Sequence, residues 1–193
     1  MKSHNTYHKA LIALGANDAL EAPLMVERLQ NALLEMACEK LRVVEVSRFY
    51  ESPCFPAGIG NDFVNAVALL EVNMTPNDLL QHLHNVEDKS GRIRILRWGT
   101  RPLDLDLLAV EKNIIPDAET YNHWRNLSLS TQMERAPDEI ILPHPRITDR
   151  GFVLLPLRDV APDWVHPVSG ETVDELIGAL PPEAIDGVVP IDL

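Results

Sequence analysis

This 193-residue chain has only two cysteines, Cys38 and Cys54, and no Cys-x-x-Cys pair. That excludes a disulfide framework and a zinc knuckle, and a reducing cytoplasm is the expected location. Long apolar runs are also missing, Phe152 to Leu157 being a typical length, so no transmembrane helix is expected. The opening MKSHNTYHKALIALG has too short an apolar stretch for a secretory signal. Glycine is scarce, 9 residues against 15 prolines, and the connections therefore read as stiff. Positive charge is scarce too: 17 Lys and Arg face 29 Asp and Glu, a net charge of −12. Nucleic acid is an unsuitable main partner for such a chain. An RNA-reading βαββαβ module would need aromatics on its central strands and a basic sheet, and neither is evident. No GxxxxGK[ST] loop and no protein-kinase motif set occurs.

What remains, 46% hydrophobic and 24% charged residues, is the composition of one globular domain with a sizeable core. His8 to Leu14 reads as a strand, and about Pro23 to Cys38 as a helix with Leu29, Leu33 and Met36 on one face. Leu41 to Tyr50 and Phe63 to Val72 read as strands, the latter apolar on both faces and therefore central. Thr75-Pro76-Asn77-Asp78 starts a second helix, running to about Glu87. Leu103 to Val110 completes a β-α-β-β-α-β order, the pattern of a ferredoxin-like α+β sandwich. Beyond it come a polar stretch from Glu111 to Glu139, the apolar run at Phe152, and a short helix near Glu171 to Leu180. The expected organisation is a single domain over 1–193, with a core at about 9–180, an insertion at about 111–140 and an irregular tail over 181–193.

The scarce positive charge is concentrated. Between Lys89 and Leu103 lie Lys89, Arg92, Arg94, Arg97 and Arg101 with no acidic residue. Directly after them comes Asp104-Leu105-Asp106. In a strand, residues i and i+2 share a face, so the two carboxylates project together and Leu103, Leu105 and Leu107 face the other way. Adjacent carboxylates repel unless a cation or a shared proton lies between them. Oxygen-only ligands suit Mg²⁺, which takes further ligands from water and phosphate. Alone, the triplet would read as a solvated acidic face. Beside arginines, whose planar forks grip phosphate, it fits phosphoryl transfer. Leu142-Pro143-His144-Pro145-Arg146 and Arg150-Gly151-Phe152 add a histidine and two more arginines. By itself His144 would read as a surface or packing residue, and Phe55, Phe63 and Phe152 as core, although aromatic rings also wall a flat heterocycle.

The segments LIALGAND, SRFYESPCF, NDFVNAVALLE, GRIRILRWGTRPLDLDLL and LPHPRITDRGFVLLPLRDVAPDW, from about Lys9 to Leu180, resemble 6-hydroxymethyl-7,8-dihydropterin pyrophosphokinase of folate biosynthesis. The resemblance implies a transferase that passes a diphosphoryl group from ATP to the pterin hydroxymethyl, leaving AMP. By the same resemblance Asp104 and Asp106 hold two Mg²⁺ ions. Arg94, Arg101, His144 and Arg150 contact ATP phosphates, with Glu87 in the ATP set. Arg92, Arg97 and Trp98 lie on a mobile loop and join Arg94 and Arg101 as catalytic residues. The pterin lies between Phe63 and Phe152, with Asn17, Ser52, Asn65 and Phe55 completing its site. ATP and the pterin are the expected partners of a cytoplasmic monomer that binds neither nucleic acid nor membrane. Three features depart from the family pattern. Ala16 stands where Ser is usual, Thr100 and Pro102 exchange places with Pro and Thr, and about twenty extra residues precede His144. The alternative is an impaired nucleotide- or pterin-binding paralogue that uses the insertion as a partner surface.

Overall fold

The computed structural model describes residues 6–18, 20–54, 61–90, 101–128, 131 and 135–192. It follows the expected order with one strand divided in two, β-α-β-β-β-α-β: β1 (His8–Asn17), α1 (Ala22–Met36), β2 (Leu41–Val46), β3 (Tyr50–Ser52), β4 (Phe63–Val72), α2 (Pro76–Lys89) and β5 (Arg101–Val110). After these come α3 (Ala118–Arg125), α4 (Gly151–Val160), α5 (Val173–Ala179) and β6 (Val189–Pro190). The sheet runs β5-β1-β4-β3-β6, with β2 also on β4 and every pairing antiparallel. This is the expected ferredoxin-like α+β sandwich with C-terminal additions.

Local chemistry sets the boundaries. In α1, Pro23 occupies the first turn, and Met25, Val26, Leu29, Ala32, Leu33 and Met36 recur at helical spacing as its buried stripe. Thr75 caps α2, its hydroxyl oxygen accepting from the Asp78 N–H at 3.2 Å. The single strand expected over Leu41 to Tyr50 is two strands. At the break Ser47 N still donates to Val67 O at 2.9 Å, but Val67 N donates to the Ser47 hydroxyl at 3.0 Å, and that hydroxyl donates to Arg48 O at 2.7 Å, so a side-chain bond takes the place of one ladder bond. The corner is then tied to α4: Arg48 forks onto Asp159 at 3.0 and 2.8 Å, and Tyr50 donates to the same carboxylate at 3.0 Å.

Two cores lie on opposite faces of the sheet. One packs α1 and α2 against Ala10, Ile12 and Leu14 of β1, Val64 to Val72 of β4 in alternation, and Leu103, Leu105 and Leu107 of β5. The other packs α4 and α5 on Leu11, Val67, Leu108 and Ala109. Alternation lets β5 serve both, and a bulge interrupts its pairing with β1. The partner of Ile12 is Leu107 and that of Leu11 is Ala109, so Leu108 is an extra residue.

The described residues of the insertion and the tail include regular structure. Ile115 and Leu142 exchange backbone hydrogen bonds of 2.8 and 3.0 Å, closing the insertion at its base. Helix α3, capped by Asp117, buries Tyr121, whose hydroxyl lies 2.9 Å from His166 Nε2. The tail expected to be irregular carries a 3₁₀ turn at Pro182–Ala184 and the strand β6 on β3. The exposed ladder edge of β3 explains that difference, because unpaired strand edges recruit backbone partners whatever the side chains.

Candidate active site

The aspartates stand where the α4-side face of the sheet becomes polar. Directly opposed residues of antiparallel strands share a face. One such row is Asn65 on β4, Gly15 on β1 and Asp104 on β5; the next is Val67, Ala13 and Asp106. Asp104 and Asp106 are therefore neighbours on one face and both are partly exposed, while Leu103, Leu105 and Leu107 are buried on the other. Gly15 leaves the middle of the first row open. A Cβ there would lie 3.6 Å from Asn65 Oδ1 and 3.9 Å from Asp104 Cβ.

The polar end of β4 is preorganised. Asn65 and Ser52 are both buried, and Asn65 Nδ2 donates to Ser52 Oγ at 2.9 Å. Phe63 opposes Ser52 at the start of β4 and is half-buried. Asn17, at the end of β1, opposes Arg101 and donates to Asn61 O at 2.7 Å. Asn61 Nδ2 in turn donates to Asp18 O at 2.6 Å. The Asp18 carboxylate pairs with Arg28 of α1, which also reaches Pro102 O at 3.3 Å. This corner joins the end of β1, the segment leading into β4 and the start of β5. Sequence reasoning missed Gly15, Asp18, Arg28 and Asn61, whose partners lie 10 to 74 positions apart.

Two residues hold the aspartates from outside the sheet. Arg150, just before α4, donates from Nη1 to Asp106 Oδ2 at 3.3 Å, and its guanidinium lies 5.8 Å from the Phe152 ring centroid. Glu87 comes from the α2 side, fully buried, and its Oε1 accepts from the Leu105 N–H at 2.8 Å. It thus holds the backbone between the two aspartates. His144 is anchored by its own N–H to Leu108 O at 2.7 Å, and its Nδ1 accepts from Arg146 N at 3.1 Å. Burial pushes its pKa down to about 4; Asp106 opposes this, while Arg150 and Arg146 add to it. With Nδ1 an acceptor, the neutral ring carries its proton on Nε2.

The structure thus gathers Asp104, Asp106, Asn65, Ser52 and Phe63 on one stretch of sheet, with Asn17 at its edge and Arg150 and Phe152 at the end of α4. Phe55, Arg92, Arg94, Arg97 and Trp98, and with them the expected mobile loop, lie outside the described residues, as does the side chain of Arg101. Among the described residues no three His, Cys, Asp or Glu side chains converge. The aspartate pair is a donor set of hard oxygens, which fits Mg²⁺ with water and phosphate completing the shell. Two clefts of about 400 and 420 Å³ lie along α1 and at the Asp18 corner, and neither is lined by an aspartate of the pair. Among the described residues the pair stands on a partly exposed stretch of sheet.

Residues 11–162 match the family model of 7,8-dihydro-6-hydroxymethylpterin-pyrophosphokinase. The chain is 35% identical over 184 residues to the 2-amino-4-hydroxy-6-hydroxymethyldihydropteridine pyrophosphokinase of Synechocystis sp., covering 95% of this chain and 82% of that one. It is 38% identical over 182 residues to the protein of the same name from Pseudomonas aeruginosa, covering 92% and 95%. In fold it is similar to the Plasmodium falciparum HPPK-DHPS crystallised with pterin and p-hydroxybenzoate, at a TM-score of 0.62 and 16% identity. That match covers 92% of this chain and 44% of the other, so the chain spans less than half the length of that structure.

Proposed function

The chain belongs to the 7,8-dihydro-6-hydroxymethylpterin-pyrophosphokinase family, and on that premise we propose that it moves a diphosphoryl group from ATP to 6-hydroxymethyl-7,8-dihydropterin. The hydroxymethyl oxygen attacks the β-phosphorus in line, the bond from that phosphorus to the α–β bridging oxygen breaks, AMP leaves, and the hydroxyl proton is released. No covalent enzyme intermediate is needed, so the protein's work is positioning and charge balance.

Asp104 and Asp106 would hold two Mg²⁺ ions, which supply neutralisation of the phosphate charge when bound. Glu87 keeps the strand between the aspartates in place through the Leu105 N–H. Arg150, already paired with Asp106, is placed to exchange that carboxylate for a phosphate oxygen, and the neutral His144 offers an N–H at the same end. Arg94 and Arg101 join them at the phosphates, and Arg92, Arg97 and Trp98 complete the catalytic set. The amide of Asn65, fixed by Ser52, reads the polar edge of the pterin; Phe63, Phe152 and Phe55 supply its walls and Asn17 its far edge. The working form is one domain, a monomer in the cytoplasm. Tyr121, buried against His166, turns α3 toward its own chain, which favours this reading over a partner-binding paralogue.

The observation that carries the proposal is the row Asn65–Gly15–Asp104 beside the Arg150–Asp106 pair: a fixed amide and two neighbouring carboxylates, one of them paired with an arginine, on one sheet face. The test is AMP formation from ATP and Mg²⁺ by the purified chain, with and without the pterin. AMP that appears only with pterin supports the reading. Pterin-independent ADP, or no nucleotide turnover, overturns it.

A further inference from the structure

Residues 182–191 are pinned at two points, and each adjoins groups that the proposed function uses. The first is Gly151, between Arg150 and Phe152. A Cβ there would collide with the carbonyl oxygen of Ala184 and lie 2.9 Å from Ile185 Cγ2. At this first position of α4 a side chain has no room, because the tail backbone approaches too closely. The second point is the sheet edge. Val189 and Pro190 pair with Glu51 and Tyr50, and Ile191 N donates to Phe49 O at 2.8 Å. Gly187, at φ +73°, packs on Pro53, the residue after Ser52; a Cβ there would lie 2.8 Å from Pro53 Cγ and 3.1 Å from Cδ.

We propose that this segment is a strap that positions the active site from behind, fixing Arg150 and Phe152 through Gly151 and Ser52 through Pro53 and β3. One backbone thereby sets the separation between the α4 end of the site and its β3 end. The inference rests on the proposed function for the roles of Arg150, Phe152 and Ser52, while the two contacts stand on geometry alone. Neither contact has a flexible side chain that can give way: one is backbone on backbone, the other backbone on a proline ring. A displacement at either point is therefore passed to the site residue next to it.

Steady-state kinetics, pterin affinity by calorimetry and thermal melting of Gly151→Ala, Gly187→Ala, Pro53→Ala and the Pro53→Ala/Gly187→Ala pair test this. Gly187→Ala is expected to raise the pterin Kd and KM by about five- to tenfold with the KM for ATP within about twofold. Adding Pro53→Ala removes the ring atoms that the new methyl would strike, and should restore pterin binding even though the positive φ still lowers Tm. Gly151→Ala, which displaces the Arg150 corner, is expected to lower kcat by about tenfold or more. Variants that melt lower yet keep Kd, KM and kcat within about twofold of the wild type overturn the strap, leaving the tail as a stabilising element only. Should Gly151→Ala fail to fold, the Gly187 pair and its rescue decide. A wild-type chain that binds pterin but forms no AMP would sink the proposed function, and the pterin Kd of the variants would still judge the strap.

Discussion

The two faces of the sheet share a backbone and differ in chemistry. Toward α1 and α2, the clustered residues of β1, β4 and β5 are aliphatic along the whole strand. Toward α4 they are aliphatic only part of the way. Leu11, Val67 and Leu108 pack beneath the helix, and further along the same face stand Asp106, level with Val67, and then the row Asn65, Gly15 and Asp104. Helix length explains the change. Ten residues of α4 extend ~15 Å, whereas ten residues of β4 extend ~33 Å, so among the described residues α4, with α5 packed beside it, spans only part of the face. The aliphatic half serves stability, and the polar half sets Asn65 and Ser52, buried but hydrogen-bonded to each other, beside the partly exposed Asp104 and Asp106.

The largest expected effect breaks function without breaking the fold. Asp104→Ala should cost several kcal/mol of transition-state stabilisation, about a thousandfold in turnover or more, a far larger effect than on the unfolding free energy, since a partly exposed side chain is removed from the face of the sheet. Turnover at saturating Mg²⁺ and urea denaturation on the same protein check it. Near-normal turnover would remove Asp104 from the metal set. The mirror experiment lies on the other face. Leu70→Ala, at a fully buried position on β4, should cost about 2–5 kcal/mol of stability, while kcat measured well below Tm changes little. If both variants lost stability and activity together, the division of labour between the faces would fail.

How much of this was legible in the sequence depends on the range of the interaction. The order of elements, the central place of Phe63 to Val72, the Thr75 cap and the shared face of Asp104 and Asp106 follow from periodicities within one strand or helix, and all are present. The split at Ser47, the pairing of β6 and the Asp18–Arg28 corner depend on contacts between distant segments, which a local pattern does not contain. Glu87 was read with the ATP set from resemblance, and its bond to the Leu105 N–H could not be seen without knowing that α2 packs beside β5. The polar composition of the insertion concealed Tyr121, since one inward aromatic among exposed neighbours leaves no periodic signal.

An intermediate effect sharpens the comparison by testing a region away from both faces. His166 Nδ1 accepts from Val168 N and Ser169 N at 3.2 Å each, so its proton sits on Nε2 and points to Tyr121. Burial first, then the charge of Arg125, pushes its pKa from 6.5 to about 4, with Glu171 partly opposing. The unfolded chain therefore takes up this proton first. The stabilisation is complete above about pH 6.5 and is lost as the pH falls toward 4. In His166→Gln, the loss of stability between about pH 7 and 5 should shrink by on the order of 1–2 kcal/mol, measured by denaturant unfolding at each pH. An unchanged acid slope would mean that His166 is not the group titrating.

The smallest expected effect on stability falls on the open face itself. Gly15→Ala adds a methyl in ordinary contact with Asn65 and Asp104, so the unfolding free energy should stay within about 0.5 kcal/mol. The same methyl intrudes on the floor between the amide and the carboxylate, and the pterin KM should rise several-fold. A large loss of stability would show that this half of the face is packed core after all.

The measurement that bears most directly on the account is a ³¹P NMR time course of the chain with ATP, Mg²⁺ and 6-hydroxymethyl-7,8-dihydropterin, with Asp104→Asn and Asp106→Asn run in parallel. The expected result is AMP and a pterin diphosphate appearing at equal rates in the wild type and neither in the two variants. ADP with a pterin monophosphate, or the same products from the variants, would contradict it.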